Sequence, residues 1–136
     1  MTLPNREDQF EDGPFTRRII GCAMRVHSCL GCGFQEIIYL NSLGIELAKA
    51  KIKYAREYDM PIYNDSTQVG SRRVDFLVEH RIAVELKAAV DIENSHLAQA
   101  NNYLEAYRLR IGLLINFGVE SLQFKRLINS RVPRRV

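Results

Sequence analysis

Apolar residues recur every three or four positions in two stretches near the start of the chain. The first stretch predicts a helix that Thr16 caps and that Gly31-Cys32-Gly33 ends. The second predicts a helix over about residues 35–51, and its inward stripe consists of Leu40, Leu43 and Leu47. One helical turn before this stripe stands Glu36, so we expect a carboxylate at the N-terminal end of a core-facing helix surface.

Beyond Lys51 the hydrophobic pattern changes to alternation, which is typical of β-strands. Pro61 favours an edge position or a bulge for the first of these strands. The predicted segments are strands at about 53–63, 72–78 and 82–88, a helix at about 94–108, and strands at 111–117 and 122–128. The order ααβββαββ predicts an α/β (α+β) domain with a mixed β-sheet flanked by helices.

The second and third predicted strands form a hairpin in which polar residues face each other. One set of apolar side chains shares a face of its first strand: Val74, Phe76 and Val78. Burying this set against the apolar face of the second strand gives a three-residue loop at 79–81. The same register sets Asp75 directly opposite Glu85, about 5 Å apart between Cβ atoms, with Lys87 further along on that face.

Opposed carboxylates destabilise a sheet unless positive charge lies between them. Lys87 supplies one such charge, and Mg²⁺ or Mn²⁺ would suit hard carboxylate oxygens. The alternative is a solvated hairpin face with a salt bridge from Lys87. Gln99 and Tyr103, one turn apart on the third helix, add further polarity next to an apolar stripe. One cluster would account for all these polar positions: Glu36, Asp75, Glu85, Lys87 and Gln99.

The composition is that of one globular domain, since 46% of the 136 residues are hydrophobic and 26% are charged. We expect this domain over residues 15–130, between a flexible acidic N-terminal tail (1–14) and a basic C-terminal tail (131–136). Apolar runs such as 111–115 are too short to cross a bilayer, and the acidic residues among the first fourteen lead us to expect no leader. The protein is therefore expected to be cytoplasmic and to have no membrane partner.

Net charge and cysteine content exclude few function classes. The formal net charge of +3 permits nucleic-acid binding but does not argue for it. Cys22, Cys29 and Cys32 are expected to be reduced thiols that behave as buried or half-buried small hydrophobic residues. A thiol or zinc site on these residues is the alternative, although no second ligand pair would complete its coordination.

Two motifs carry a resemblance to a known family. Asp75 followed by Glu85-Leu86-Lys87 resembles the signature of the PD-(D/E)xK nuclease superfamily, with Val74 where the signature has proline. Gly33-Phe34-Gln35-Glu36-Ile37-Ile38-Tyr39 is similar to the motif of the GxxExxY family within that superfamily. Other matching segments are His27 with 30–33, Arg73-Val74-Asp75, His96 with Gln99 and Tyr103, and 114–118.

The resemblance implies a restriction-endonuclease-like core and a metal site that binds Mg²⁺ (or Mn²⁺). In the superfamily, a helix glutamate, the aspartate and the strand glutamate bind the metal, and these positions are Glu36, Asp75 and Glu85. Lys87 matches the lysine that orients the attacking water, and Gln99 resembles an auxiliary glutamine. All five are therefore candidate catalytic residues.

The expected function is metal-dependent hydrolysis of phosphodiester bonds in DNA or RNA. Arg72 and Arg73 are candidates for phosphate contacts, and Tyr103 is expected beside the site with its hydroxyl bonded. His96 either caps its helix or approaches the site, whereas His27 is expected to be a core histidine. A homodimer is expected by analogy with the superfamily. The alternative function is a non-catalytic nucleic-acid- or protein-binding module that retains the fold.

Overall fold

The computed structural model describes residues 11–134. The helices are α1 (Gly13–Leu30), α2 (Glu36–Lys49) and α3 (Asn94–Tyr107). The strands are β1 (Tyr54–Asn64), β2 (Thr67–Val78), β3 (Ile82–Lys87), β4 (Ile111–Asn116) and β5 (Gln123–Ile128). The predicted order ααβββαββ is confirmed, because hydrophobic periodicity marks each of these segments independently.

The five strands form one mixed sheet in the order β1-β2-β3-β4-β5. Neighbours are antiparallel except for β3 and β4, which are parallel and are joined through α3. β1 is an edge strand, which agrees with the position that Pro61 favours. This mixed sheet with flanking helices is the restriction-endonuclease-like architecture that the sequence predicts.

Two clusters of buried side chains cover the sheet. The larger joins α1 and α2 to the central strands, through residues such as Ile19, Leu43, Leu47, Phe76 and Val84. The smaller consists of Met60, Val74, Leu77, Ala83 and Leu104. Leu104 lies on α3, so helices pack against apolar side chains on both sides of the sheet.

The start of α1 differs from the prediction. Thr16 is not the cap: it is buried inside the first turn, and its hydroxyl donates to the carbonyl of Gly13 at 3.1 Å. Asp12 is the residue before the helix, and Pro14 occupies the first turn, where its fixed φ suits a helix and its missing N–H costs nothing. The proline therefore sets the start that Thr16 was expected to set.

The hairpin register is confirmed, with one exception. Phe76 pairs with Val84 and Val78 pairs with Ile82, which leaves the loop at 79–81. Val74, however, packs in the smaller cluster while Phe76 packs in the larger one, so the predicted shared face is wrong at Val74. The pairing of β2 with β3 ends at Phe76, and the regular alternation of faces does not continue past the point where the strands separate.

β1 and β2 form a hairpin that extends well past the end of their pairing with β3. β2 begins at Thr67, five residues before the predicted strand at 72–78. Residues 67–71 are exposed and carry no alternating apolar pattern, so they give no strand signal in the sequence. Their pairing with β1 is what makes them a strand.

Residues near the two ends of the described chain form ion pairs beside the start of β4. Glu11 forms an ion pair with Arg110 at 2.6 Å and another with Arg134 at 2.8 Å, while Asp12 pairs with Arg81 at 3.4 Å. The rest of the expected acidic tail, residues 1–10, lies outside the described residues, as do the last two residues of the basic tail. No helix within residues 11–134 is long and apolar enough to cross a membrane.

Candidate active site

Asp75 and Glu85 lie where β2 and β3 separate. The backbone N–H of Asp75 donates to Glu85 Oε1 at 3.0 Å, and the N–H of Leu86 donates to Asp75 Oδ2 at 2.8 Å. These crossed bonds use side-chain carboxylates where a regular ladder would use backbone carbonyls. The other oxygens, Asp75 Oδ1 and Glu85 Oε2, accept no hydrogen bond from residues 11–134. Two carboxylates are thus fixed side by side, each with one oxygen left for another ligand.

The two carboxylates are poorly hydrated, and Glu85 is only 6% exposed. Burial, and then the charge of Glu36, raise the pKa of Asp75 to about 6. Burial, and then the charge of Asp75, raise the pKa of Glu85 to about 8. The pair therefore resists carrying two negative charges near neutral pH, and a cation between the carboxylates would relieve that cost.

Lys87 and Glu36 complete the charge arrangement. Lys87 ends β3, and its ammonium charge lowers the pKa of both Asp75 and Glu85. Glu36 is the first residue of α2 and is half-buried, and its carboxylate is near enough to act on Asp75. All four predicted charged residues therefore lie close enough around the end of β3 for their charges to interact.

Tyr39 fixes the loop that precedes Glu36. It is fully buried, its hydroxyl donates to the carbonyl of Gly31 at 2.6 Å, and the hydroxyl oxygen accepts the N–H of Phe34 at 3.2 Å. Its ring stacks on Phe117 with centroids 4.8 Å apart. The spacing of glutamate and tyrosine in this motif therefore has a structural reason, because the tyrosine closes the loop that sets the start of the glutamate's helix.

Asn116 holds the segment that follows Lys87. This asparagine is fully buried, and its side-chain amide donates to the carbonyl of Ala89 at 3.0 Å while accepting the N–H of Ala89 at 2.9 Å. It also accepts the N–H of Gly118 at 3.0 Å. Sequence reasoning did not single out Asn116 as a positioning residue; a lone polar side chain at the end of a buried strand was its only signal.

Arg72 and Arg73 have different environments despite being neighbours. The Arg72 guanidinium lies 4.5 Å from the centre of the Tyr103 ring, and its charge lowers the pKa of Glu85. Arg73 instead pairs with Asp59 at 2.9 Å on β1. The Tyr103 hydroxyl donates to the carbonyl of Arg73 at 3.2 Å, as expected for a tyrosine packed beside the site. Only Arg72 of the two arginines is directed towards the carboxylate pair.

The remaining predicted polar residues lie further from the carboxylates or serve the fold. Gln99 is exposed on α3, and its side chain makes no hydrogen bond within the described chain. His96 accepts the N–H of Glu93 through Nδ1 at 3.1 Å and so completes the cap of α3. His27 bonds the carbonyl of Val119 through Nε2 at 2.7 Å, which fits its expected structural role.

The family model of the PD-(D/E)XK nuclease superfamily matches residues 14–127 of this chain. The chain belongs to the PD-(D/E)XK nuclease superfamily. The match spans both the helix that carries Glu36 and the hairpin that carries Asp75, Glu85 and Lys87. No curated protein and no solved structure matches the chain. Membership of this superfamily indicates a nuclease-type function and a nucleic-acid substrate.

PD-(D/E)XK nucleases generally use divalent metal ions, and this chain's residues fit one. Within residues 11–134, no group of three or more His, Cys, Asp or Glu side chains lies close enough to hold a metal ion. The structure therefore pairs Asp75 with Glu85 but does not bring Glu36 into a closed set of three ligands. Mg²⁺ does not require such a set, because one or two carboxylates with water and substrate oxygens commonly hold it. The two open oxygens of the pair meet that requirement.

The cysteines lie apart from this arrangement. Cys22 is buried as expected, but Cys29 and Cys32 are exposed, so the expectation of burial is wrong for both. They stand at the end of α1 and in the loop after it, where no element packs over them. All three are free thiols.

Proposed function

We propose that this chain is a nuclease of the GxxExxY type, which hydrolyses phosphodiester bonds of DNA or RNA with Mg²⁺ or Mn²⁺. The observation that carries the proposal is the crossed hydrogen bonding of Asp75 and Glu85. It leaves the buried Glu85 and the half-buried Asp75 each with an open oxygen, near enough to Lys87 for its ammonium charge to act on both. Two neighbouring carboxylates with raised pKa values cost stability when both are charged, and a bound cation would offset that cost. The proposed nuclease domain is residues 15–130.

Each charged residue has a distinct role in the proposal. Asp75 and Glu85 hold the ion, which when bound neutralises negative charge that develops on the scissile phosphate. Lys87 orients the attacking water and stabilises the transition state, a contribution of about 3 kcal/mol for one well-placed donor. Glu36 accepts a hydrogen bond from water at the edge of the site, and Gln99 is an auxiliary contact. The homodimer expected by analogy stays a prediction.

The GxxExxY assignment is supported by the roles of its motif residues. Tyr39 closes the loop from Gly31 to Phe34, and Glu36 begins the helix immediately afterwards. Phe117 stacks on Tyr39, which connects this loop to the end of β4. The motif residues thus form one continuous support for the Glu36 side of the site.

The decisive experiment is incubation of the purified chain with single- and double-stranded DNA and RNA in Mg²⁺ or Mn²⁺. The Lys87→Ala variant is expected to cleave about 100-fold more slowly. Lys53→Ala, an exposed lysine at the start of β1, is the matched control and is expected to cleave normally. Equal cleavage by wild type and Lys87→Ala would reveal a contaminant and reject the proposal. Binding without any cleavage by wild type would favour the non-catalytic module instead.

A further inference from the structure

Four exposed apolar side chains lie close to Glu36 or Lys87 in the chain. Phe34, Ile37 and Ile38 flank Glu36 in the chain, and Val90 follows Lys87 by three residues. Their exposed fractions are 48%, 44%, 38% and 88%. Of these four, Phe34 is linked by contacts to the end of β3: its ring meets Tyr39, Tyr39 stacks on Phe117, and the backbone N–H of Phe117 donates to the carbonyl of Lys87 at 2.8 Å.

Phe34 is held in place although half of it is exposed. Its backbone N–H donates to the Tyr39 hydroxyl at 3.2 Å, and its ring meets the Tyr39 ring edge-on with centroids 6.2 Å apart. Tyr39 is itself fully buried and stacked on Phe117. The Phe34 ring is therefore already held in one orientation. Little side-chain conformational entropy would be lost when a ligand stacks on it.

Among residues 11–134, two cations act on the carboxylate pair. They are Lys87 and Arg72, whereas Arg73 is committed to Asp59. Several other arginines line a cavity at the opposite end of β3: Arg81, Arg108, Arg110 and Arg134. Duplex binding depends on many phosphate contacts along both strands. Single strands are bound by fewer cations combined with stacking of bases on aromatic side chains.

We propose that the exposed face of the Phe34 ring stacks on unpaired nucleobases, and that the substrate is a single strand or a single-stranded end. This inference rests on the proposed function for the position of the scissile phosphate. Phe34 receives a base while Lys87 and Arg72 face the backbone. Because every base has a π-face, such a surface selects for strandedness and not for sequence.

The test measures binding separately from cleavage. All proteins carry Lys87→Ala and are titrated in Mg²⁺ with labelled single-stranded DNA, single-stranded RNA and blunt duplex DNA of one sequence. Single strands are expected to bind more tightly than the duplex. Adding Phe34→Ala is expected to weaken single-strand affinity about 5- to 30-fold, whereas Phe34→Trp retains it. Stacking is read directly from quenching of a 2-aminopurine base. The DNA and RNA arms establish which strand is preferred.

Ile45→Ala is the matched control, because Ile45 is 58% exposed on α2 but lies more than two helical turns beyond Glu36. Phe34→Leu keeps an apolar side chain and guards against misfolding; it is expected to fold and to lose the quenching. Equal affinity for duplex and single strand, or equal effects of Phe34→Ala and Ile45→Ala, would overturn the inference. If Phe34-dependent single-strand binding persists while the wild-type chain cleaves nothing, the inference holds and the nuclease proposal fails.

Discussion

The backbone N–H of Asp75 donates to the side chain of Glu85 at 3.0 Å, one position beyond the last pair between β2 and β3. The two strands are therefore joined at this point through a carboxylate. This contact fixes Glu85 next to Asp75 at the point where β2 and β3 separate. Burial and the charge of Asp75 raise the pKa of Glu85 to about 8, although the hydrogen bond from the Asp75 N–H lowers it in part.

Replacing Glu85 by glutamine is expected to stabilise the chain near pH 8. The folded chain binds the protons of Asp75 and Glu85 more tightly than the unfolded chain does, so the contribution of this pair to the free energy of unfolding is largest below about pH 4 and is lost as the pH rises from about 4 to about 8. Glu85→Gln keeps an acceptor for the Asp75 N–H without a charge. In metal-free buffer, thermal unfolding should show a gain of about 1–3 kcal/mol at pH 8 and little gain at pH 4.

The exposed Glu120→Gln is the control for this pH series and is expected to leave the unfolding midpoint unchanged at both pH values. A Glu85→Gln variant that loses stability at pH 8 would mean that the Glu85 charge is favourable in the folded chain.

Divalent cations are expected to bind with release of protons. Because the pKa values of Asp75 and Glu85 are raised to about 6 and about 8, a cation must displace a proton from the pair near neutral pH. Mg²⁺ or Mn²⁺ affinity should therefore increase between pH 6 and pH 8. Calorimetric titration in two buffers with different ionisation enthalpies measures the protons released.

Asp75→Asn is expected to abolish this binding. Asp65→Asn, in the turn between β1 and β2, is the matched control and should bind as wild type does, since asparagine tolerates the positive φ of 55° at that position. Cation binding that survives Asp75→Asn would place the ion elsewhere.

Removing the Tyr39 hydroxyl is expected to lower both stability and activity. Tyr39→Phe keeps the stack on Phe117 but loses the bonds to Gly31 and Phe34. Denaturant unfolding should show a loss of about 1–2 kcal/mol. The cleavage rate should fall further than this loss of folded protein explains, because the loop before Glu36 is no longer held.

Tyr54→Phe provides the comparison, since the Tyr54 hydroxyl makes no hydrogen bond within residues 11–134. It is expected to cleave at the wild-type rate. Wild-type cleavage by Tyr39→Phe would show that the loop does not need its hydroxyl contacts to position Glu36.

The two adjacent arginines are expected to respond differently to substitution. The Arg72 guanidinium lies over the Tyr103 ring, and its charge acts on Glu85. Arg72→Ala should therefore raise KM and reduce the salt dependence of substrate binding. Arg73→Ala removes a guanidinium that Asp59 already neutralises, and it should change KM less than twofold. Steady-state kinetics at several salt concentrations compares them, and equal effects would contradict separate roles for the two arginines.

Gly118 is expected to tolerate no side chain. A Cβ there would lie 2.5 Å from the backbone nitrogen of Ala89, in the segment just after Lys87. Gly118→Ala should cost about 1–3 kcal/mol in unfolding experiments and reduce cleavage by moving that segment. Gly70→Ala, where nothing lies within 4 Å, should do neither. Normal stability in Gly118→Ala would show that the segment after Lys87 shifts freely.

Part of the site could be predicted from local pattern. The stripe of Leu40, Leu43 and Leu47 sets the face of α2, and Glu36 is placed one turn before it. The alternation of apolar residues sets the register of Phe76 with Val84, which brings Asp75 next to Glu85. Both inferences succeed because burial of apolar faces acts within one helix or one hairpin.

Other features depend on contacts between segments far apart in the chain. Asn116 bonds Ala89, and His27 bonds Val119; neither partner can be inferred from spacing. The burial of Val74 in the smaller cluster follows from the separation of β2 and β3, which no alternation pattern records.

The amino-acid sequence by itself determined the order of the elements, the hairpin register and the identity of the charged residues, because hydrophobic periodicity is a local property of the chain. Only the tertiary structure decided that Glu36 acts on Asp75 without closing a set of three ligands, and that Phe34 stands exposed on a buried tyrosine. Those relationships depend on how separate elements pack in space, and packing distances are not encoded in any one segment's pattern.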